Sequence, residues 1–308
     1  MISENEDLKP LSLGNDNLLK PLSSGTRSET SDFVPLASTS VDDIRNDDSN
    51  FVFFFGTAES GKSVILSSML YWLNSKAGVL RPKPGTPNTK EANVLLSDFF
   101  ENIRQGILPN RTTRDQVTRL DLLFQPNNKS KKVLPVNLTF LETSGENHNE
   151  IRRGGSYHSS IESYLTAKIP LTFIIVTSWE SAHKDDTLIN DFFNELERKE
   201  KDIKSVNVIL VVSKWDKSGH MDVAGPEELD SFIRERLSMT SQKIATYGFS
   251  QTYYTIGKIQ NKDGDEKITS LNLSTAEVLS KWLYHSIVGY DLDYEGTFWE
   301  RIKFSLTN

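Results

Sequence analysis

The 308-residue sequence contains no cysteine, which excludes disulfide bonds, thiolate metal sites and cysteine nucleophiles. Its five histidines are scattered without the spacing of metal ligands, so the sequence does not predict a histidine metal site. No apolar run approaches the roughly 20 residues of a membrane-spanning helix, and the N-terminus lacks a signal-peptide core. We therefore expect a cytoplasmic protein that does not span a membrane.

The chain also has fewer basic than acidic residues, 35 Lys and Arg against 42 Asp and Glu. The formal net charge is −7 and the isoelectric point is about 5.4, which argues against a protein that coats nucleic acid. Hydrophobic residues make up 37% of the chain, enough for a sizeable core. A protein is therefore the expected macromolecular partner, and nucleic acid is not.

The first 49 residues have few aromatic side chains and no helical or strand periodicity, which predicts a disordered tail over 1–49. A short unit recurs within it at Leu8–Ser12 and Leu19–Ser23, and more loosely at Phe33–Ala37. Apolar residues around a proline form a stiff, extended element that fits a partner's groove. Low-complexity tails also repeat by chance, so both interpretations stand.

From Phe51 onward the sequence alternates strand and helix, which predicts an α/β domain over 50–290, followed by an extension at 291–308. The pattern favours a mostly parallel sheet with helices on both faces. Two strands joined by a polar turn, near 117–124 and 134–142, predict one antiparallel hairpin. Further strands are predicted near 51–55, 171–178, 206–213 and 251–256, and helices near 62–74, 88–105, 185–201, 226–247 and 275–288, with some helix within 146–168.

The strongest motif runs from Gly56 to Ser63, GTAESGKS, between an apolar strand and a helix. This is the phosphate-binding loop pattern, in which backbone N–H groups and the helix N-terminus surround phosphate oxygens. We expect Lys62 to reach the β- and γ-phosphates and the Ser63 hydroxyl to bind Mg²⁺. The nucleotide contacts are assigned to Gly56, Glu59, Ser60, Gly61, Lys62, Ser63 and Val64.

A second motif follows the apolar strand that ends in Glu142. The carboxylate lies where it could hold Mg²⁺, directly or through water. Gly145 follows three residues later, a spacing at which its backbone N–H could meet a γ-phosphate. Together these residues predict the metal side of a nucleotide site.

A third motif, Ser213-Lys214-Trp215-Asp216, ends another strand. A carboxylate at Asp216 can accept both the N1–H and the N2 amino group of guanine, whereas adenine offers neither donor on that edge. The Lys214 stem can lie over the base. After the next strand, N–H groups at Ile256 and Gly257 are expected to contact the guanine O6.

In order and spacing, these motifs resemble those of Ras-like and Gα-like GTPases, in the superclass that also holds translation factors. The loop GTAESGKS is close to the GAGESGKS form of Gα subunits, and the resemblance covers about 55–258. Within the superclass the chain is most similar to stand-alone bacterial GTPases called the double-GTPase family. The resemblance implies a three-layer P-loop GTPase-like fold, GTP or GDP with Mg²⁺ as ligands, and GTP hydrolysis in a molecular switch.

The resemblance also implies a threonine that binds Mg²⁺ between the first helix and the hairpin. Thr112 and Thr113 are the candidates, with Thr113 preferred; the alternative is a plain polar turn. Gα subunits carry a catalytic arginine just before this threonine. Arg111 is the candidate for that role here; the alternative is that Arg111 and Arg114 are ordinary surface residues, which are far commoner than catalytic arginines.

Three residues depart from the family pattern. Glu142 replaces an Asp, which moves the carboxylate relative to an ion that demands near-octahedral geometry. Glu146 replaces the Gln that orients the attacking water, and its charge repels phosphate. Ser213 replaces Asn or Thr, yet its hydroxyl can still brace the phosphate loop.

The sequence thus predicts a guanine-nucleotide switch with slow hydrolysis that signals to a protein partner through the segments around 110–114 and 145–160. Two alternatives stand beside it. One is a GTP-binding interaction or scaffold protein with little hydrolysis. The other is an ATP-using P-loop protein, against which the Lys214-x-Asp216 motif argues.

Overall fold

A computed structural model of the chain describes residues 40–109, 117–143, 145, 151, 157, 159–167, 169–199, 203–219, 225–262 and 265–295. Arg111, Thr112, Thr113, Arg114 and Glu146 lie outside these ranges, as do the repeats of the N-terminal tail. The predictions made for those residues therefore remain predictions.

The centre of the molecule is a seven-stranded sheet in the order β2-β3-β4-β1-β5-β6-β7. Five of its strands, β1 and β4 to β7, run parallel, and β3 pairs antiparallel with both β2 and β4. The carboxyl ends of the five parallel strands therefore share one edge. The strands are β1 Asn50–Phe55, β2 Gly78–Pro82, β3 Val117–Pro126, β4 Val136–Thr143, β5 Leu171–Ser178, β6 Asn207–Ser213 and β7 Ser250–Tyr253.

Helices cover both faces of this sheet, which confirms the predicted three-layer α/β, GTPase-like fold. The strand β1 shows the arrangement, because alternate residues point to opposite faces. Phe51, Phe53 and Phe55 enter one buried cluster, whereas Val52 and Phe54 enter the other. The helices are α1 Val41–Asn46, α2 Lys62–Trp72, α3 Thr89–Gln105, α4 Ser159–Thr166, α5 Ala182–Arg198, α6 Pro226–Arg236, α7 Ser238–Tyr247 and α8 Ser274–Val288.

A separate two-stranded sheet, β8 Gly257–Lys262 and β9 Asp265–Leu271, forms an antiparallel hairpin between β7 and α8. The sequence does not predict this hairpin, because its polar strands lack a clear apolar alternation. The short edge strand β2 is also missed, since the proline-rich stretch after it favours a loop. Both elements gain their strand geometry from neighbouring backbone rather than from a local pattern.

Two other boundaries differ from the sequence predictions. The helix predicted over 226–247 is broken at Leu237, whose φ of −130° and ψ of 50° are not helical. Asp186 stabilises the break by accepting hydrogen bonds from the backbone N–H groups of Met239 and Thr240, at 3.0 and 2.9 Å. A buried carboxylate on another element thus caps the second helix, which local sequence does not reveal.

The described ends of the domain also extend beyond the predicted limits. Residues 40–49, assigned by sequence to the disordered tail, contain α1, whose Ile44 is buried against the core. Asp47 pairs with Lys83 at 2.7 Å. Burial alone would raise the pKa of the Asp47 carboxyl, but the hydrogen bond and charge of Lys83 outweigh it, so the pKa is lowered. At the other end, Leu292 is buried. The packed domain therefore begins before residue 50 and continues past 290.

Candidate functional site

The carboxyl edge of the parallel strands holds a cleft of about 690 Å³. Three of its walls come from the three predicted motifs, although the first and third are separated by some 150 residues of sequence. The motif residues that line it are Glu59, Gly61, Lys62, Ser63, Val64, Glu142, Gly145, Ser213, Lys214, Asp216 and Ile256. The parallel sheet brings these segments together because each follows the carboxyl end of a strand.

The loop between β1 and α2, which the sequence predicts to hold the phosphates, forms one part of the cleft, called the phosphate half. The side chain of Lys62 is buried within it, and its Nζ donates hydrogen bonds to the carbonyls of Gly56 and Thr57, each at 2.9 Å. Glu59 has a left-handed φ of 63°, an uncommon conformation for a residue with a side chain. The loop thus wraps around an ammonium group at the N-terminus of α2, an arrangement suited to anions.

A hydroxyl and a carboxylate meet beside this loop. Ser63 Oγ donates a hydrogen bond of 2.6 Å to Glu142 Oε1, and the Glu142 side chain is only 2% exposed. These oxygens are ligands that Mg²⁺ accepts, and the ion commonly takes one or two protein groups together with substrate phosphates. The described residues contain no cluster of three or more metal-binding side chains. The pair therefore fits an ion held jointly with a phosphate.

Gly145 lies directly against the phosphate loop. A Cβ atom at this position would stand 2.0 Å from the backbone nitrogen of Ala58 and 2.2 Å from the carbonyl carbon of Thr57. Any larger residue would force the two segments apart. The backbone of Gly145 is therefore packed closely on the phosphate loop, and its contact with a γ-phosphate stays a prediction.

At the carboxyl end of β6, Ser213 connects this strand to the phosphate loop. Its Oγ donates a hydrogen bond to the carbonyl of Ser60 in the phosphate loop. The sequence predicted that this hydroxyl could brace the loop, and the structure places it to do so. The end of β6 is therefore tied directly to the turn that precedes α2.

The residues after Ser213, which the sequence predicts to hold the base, form another part of the cleft, called the base half. Lys214 has a left-handed φ of 54° and lies 3.8 Å from Glu180 in an ion pair. Asp216 follows in a short 3₁₀ turn, Trp215–Ser218, with its side chain exposed to the cleft. Lys214 and Glu59 are the non-glycine residues with positive φ in the described part of the chain. Unusual backbone geometry of this kind concentrates at binding sites.

The loop after β7 is predicted to contact the guanine base. Ile256 lines the cleft, and the N–H of Gly257 donates to Thr255 Oγ1 at 3.2 Å. Gly257 also begins β8, so its backbone belongs to the hairpin. The Gly257 N–H is thus engaged within the protein, and its contact with a guanine O6 stays a prediction. Nearby, burial raises the pKa of the Tyr254 phenol far above its ordinary range, and this neutral hydroxyl shares a 2.6 Å hydrogen bond with Ser68.

The structure adds a positioning residue that sequence reasoning missed. Asp185 on α5 is buried, and its Oδ2 accepts hydrogen bonds from Thr57 at 3.1 Å, Thr177 at 2.8 Å and Ser181 at 2.7 Å. It thereby holds the start of the phosphate loop against the end of β5. Nothing in the local sequence distinguishes Asp185 from its neighbour Asp186, because the partners come from elements that are distant along the chain.

The sheet order and the strand–loop–helix at β1 define the class: an α/β protein with a P-loop GTPase-like fold. No protein-family model matches the sequence, and no curated protein matches it. Solved structures of GTPase-like proteins do match. Their sequence identities are 9 to 11%, and the class assignment rests on the topology described above.

Three of these solved structures illustrate the similarity. Roco2 RocCORdC of Methanosarcina barkeri, bound to GDP, has a TM-score of 0.36 and 11% identity, over 84% of this chain and 56% of that one. The signal recognition particle receptor complex SRb-GTP/SRX of Chaetomium thermophilum has a TM-score of 0.40 and 10% identity, over 78% and 99%. The bacterial selenocysteine-specific elongation factor EF-Sec has a TM-score of 0.37 and 9% identity, over 80% and 30%. The chain thus spans little more than half of the Roco2 structure.

Among the helices that the structure describes, none combines the length and the apolar character needed to cross a bilayer.

Proposed function

We propose that this protein binds guanine nucleotides and acts as a molecular switch that hydrolyses GTP slowly. One observation carries the proposal. Lys62 of the phosphate loop and Asp216 of the third motif line the same cleft, with Ser213 bonded to the phosphate loop between them. A cleft of about 690 Å³ is within the range that holds a ligand of nucleotide size.

The choice of guanine over adenine follows from Asp216. A carboxylate accepts hydrogen bonds and donates none when ionised, so it complements the two N–H donors on the guanine edge. Adenine would leave this carboxylate without a donor partner in the cleft, which costs binding free energy. Asp216 has no hydrogen-bond or ion-pair partner among the described residues and is therefore available to a ligand.

Hydrolysis would proceed by in-line attack of water on the γ-phosphorus. The Lys62 ammonium and the backbone N–H groups of the loop would stabilise the charge that develops on the phosphate oxygens. Ser63 and Glu142 are the residues that would hold Mg²⁺, which, when bound, neutralises phosphate charge.

Slow turnover is part of the proposal because two carboxylates replace the residues of related GTPases. Glu142 is longer than the family's Asp, and Glu146 stands in place of a neutral Gln. The extra methylene of Glu142 moves its carboxylate relative to an ion that demands near-octahedral geometry, and the negative charge of Glu146 repels the phosphate. A GTP-binding interaction protein with little hydrolysis is the second candidate, and it is favoured by the same two residues. Arg111 and Thr113 remain proposed as catalytic and Mg²⁺-binding residues.

A protein partner would recognise the nucleotide state through the segments that follow Pro109 and Gly145 in the sequence. The N-terminal repeats around Pro10 and Pro21 provide a second proposed contact. The overall negative charge favours a protein over nucleic acid as partner.

The test is to titrate the purified full-length chain with GTP, GDP and ATP in the presence of Mg²⁺ by calorimetry, and to measure phosphate release. Tight GTP and GDP binding, weak ATP binding and slow phosphate release are expected. Equal or tighter ATP binding would overturn the guanine assignment. Tight GTP binding without any phosphate release would support the interaction protein instead of the switch.

A further inference from the structure

The hairpin formed by β8 and β9 turns one face toward the cleft. Side chains alternate along a strand, so Ile259 and Asn261 of β8 share a face, and they pair with Ile268 and Glu266 of β9. Ile259, Asn261 and Glu266 line the cleft, and Ile268 is buried in the core. The opposite face carries the exposed residues Lys258, Gln260 and Lys267.

The segment after α3 adds apolar side chains to the cleft next to the hairpin, since Ile107 bridges to Lys267 of β9. Leu108 and Pro109 line the cleft, and Leu108 and Ile259 both pack against the same core cluster. Lys214 lines the cleft as well. The base half therefore combines the Asp216 carboxylate, which can bind the polar edge of a base, with an apolar wall that the three motifs do not supply.

The hairpin is fastened to α3 at Gly106. The Ile268 N–H donates a hydrogen bond of 2.7 Å to the Gly106 carbonyl, and Ile107 forms an isolated antiparallel bridge with Lys267. Gly106 ends α3 with a left-handed φ of 70°. A Cβ atom there would lie 2.5 Å from the Ile268 carbonyl oxygen. Only a glycine at this position allows the hairpin to approach α3 this closely.

We propose that the β8–β9 hairpin and Leu108 close the base half of the cleft, and that Ile259 packs against the base of the bound nucleotide. This inference rests on the proposed function, since it takes a guanine nucleotide as the ligand. A base is flat and apolar on its faces, so an aliphatic wall complements it while Asp216 reads its edge. The hairpin then acts mainly on the dissociation rate, because the base cannot leave without losing this contact.

The first test compares two glycines with the same backbone conformation. Gly106 and Gly248 both end helices with φ of 70°, but a Cβ at Gly248 would meet nothing within 4 Å. Gly106→Ala and Gly248→Ala therefore impose similar left-handed strain, and only the first displaces the hairpin. The full-length protein is loaded with a fluorescent GDP and chased with excess unlabelled GDP. Gly106→Ala should release it about tenfold faster, and Gly248→Ala at the wild-type rate.

The second test keeps the hairpin in place and changes one wall residue. Ile259→Ala removes the apolar contact, whereas Gln260→Ala changes the neighbouring residue on the exposed face. Ile259→Ala should release GDP roughly five- to tenfold faster and Gln260→Ala should not change the rate. Thermal melting of all four variants identifies any that fails to fold. If Gly106→Ala fails to fold, the comparison of Ile259→Ala with Gln260→Ala still tests the proposal.

The outcomes separate this inference from the proposed function. Retention of GDP by the wild type, with faster release from Gly106→Ala and Ile259→Ala alone, supports both. Retention with unchanged release from both variants overturns the role of the hairpin and leaves guanine binding intact. A wild-type protein that retains no GDP overturns the proposed function and the inference with it.

Discussion

The two halves of the cleft are built in different ways. The phosphate half consists of consecutive residues, and its contacts, such as those of Lys62 with Gly56 and Thr57, are local in sequence. The base half combines the end of β6, the loop after β7, the β8–β9 hairpin and the end of α3. One half is a single turn of backbone, whereas the other exists only when four separate segments meet.

The difference has a chemical basis. Phosphate is recognised by backbone N–H groups and a helix N-terminus, which any chain with the right glycine spacing can provide. A base is bound by a hydrogen-bonding group at its edge and an apolar surface against its face, and these two groups must lie on different sides of the ligand. We therefore expect changes in the phosphate half to affect all nucleotides alike, and changes in the base half to discriminate among them.

The largest effect is expected from Lys62→Ala. The lysine ammonium is buried in the loop, and hydrogen bonds to charged groups contribute about 1.5–3 kcal/mol each, so binding of GTP and ATP should weaken roughly a thousandfold. Calorimetric titration measures the loss. Lys281→Ala, at a lysine paired with Glu277 outside the cleft, serves as control. Persistent GTP binding by Lys62→Ala would show that the loop does not hold the phosphates.

Asp216→Asn should give the largest difference between its effects on GTP binding and on ATP binding. An amide presents a donor to the guanine donors, so GTP binding should fall about a hundredfold while ATP binding stays the same. The variant should gain affinity for xanthosine triphosphate, whose ring carries a carbonyl where guanine carries the amino group. Competition titrations with the three nucleotides measure the change, and Asp98→Asn, on the exposed face of α3, is the control. Equal losses for GTP and ATP would contradict base reading.

A third prediction concerns the support of the phosphate half. Asp185→Asn weakens the brace between α5 and Thr57, and should reduce affinity for GTP and ATP equally, by about tenfold. Asp186→Asn is a matched control, because this neighbour is equally buried but caps α7. Both should lower the melting temperature, and only the first should change nucleotide binding. A larger effect on GTP than on ATP would place Asp185 in the base half.

The smallest effect is expected at the junction of the halves. Ser213→Ala removes the hydrogen bond to the Ser60 carbonyl, a single neutral contact of about 1 kcal/mol, so GTP affinity should fall a fewfold. Ser67→Ala removes a hydroxyl that bonds only within α2, to the Val64 carbonyl, and should leave affinity unchanged. Calorimetric titration with GTP measures the affinity of each variant. Identical affinities for Ser213→Ala and Ser67→Ala would argue against a brace at Ser213.

Most strands and helices of the domain could be predicted from the sequence. The strand at 171–178 was predicted at its observed limits, because it is a continuous apolar run buried on both faces. The break at Leu237 and the strand β2 could not, since a distant carboxylate caps α7 and a partner strand supplies the pairing of β2. Local propensity carries no information about such partners.

The same division holds for the candidate site. Lys62, Ser63, Glu142 and Asp216 follow from motif spacing, and the structure brings them to one edge of the sheet. Asp185 and Ile259 have no sequence signal, because their roles depend on what α5 and the hairpin pack against.

By itself, the sequence determined the strand, loop and helix that carry the phosphate-loop motif and the parallel arrangement around them, because glycine spacing and a doubly buried strand are local properties of the chain. Only the tertiary structure decided how the base half is closed. The approach of β9 to Gly106 joins segments that lie some 160 residues apart, and contacts at that separation depend on the packing of the whole domain.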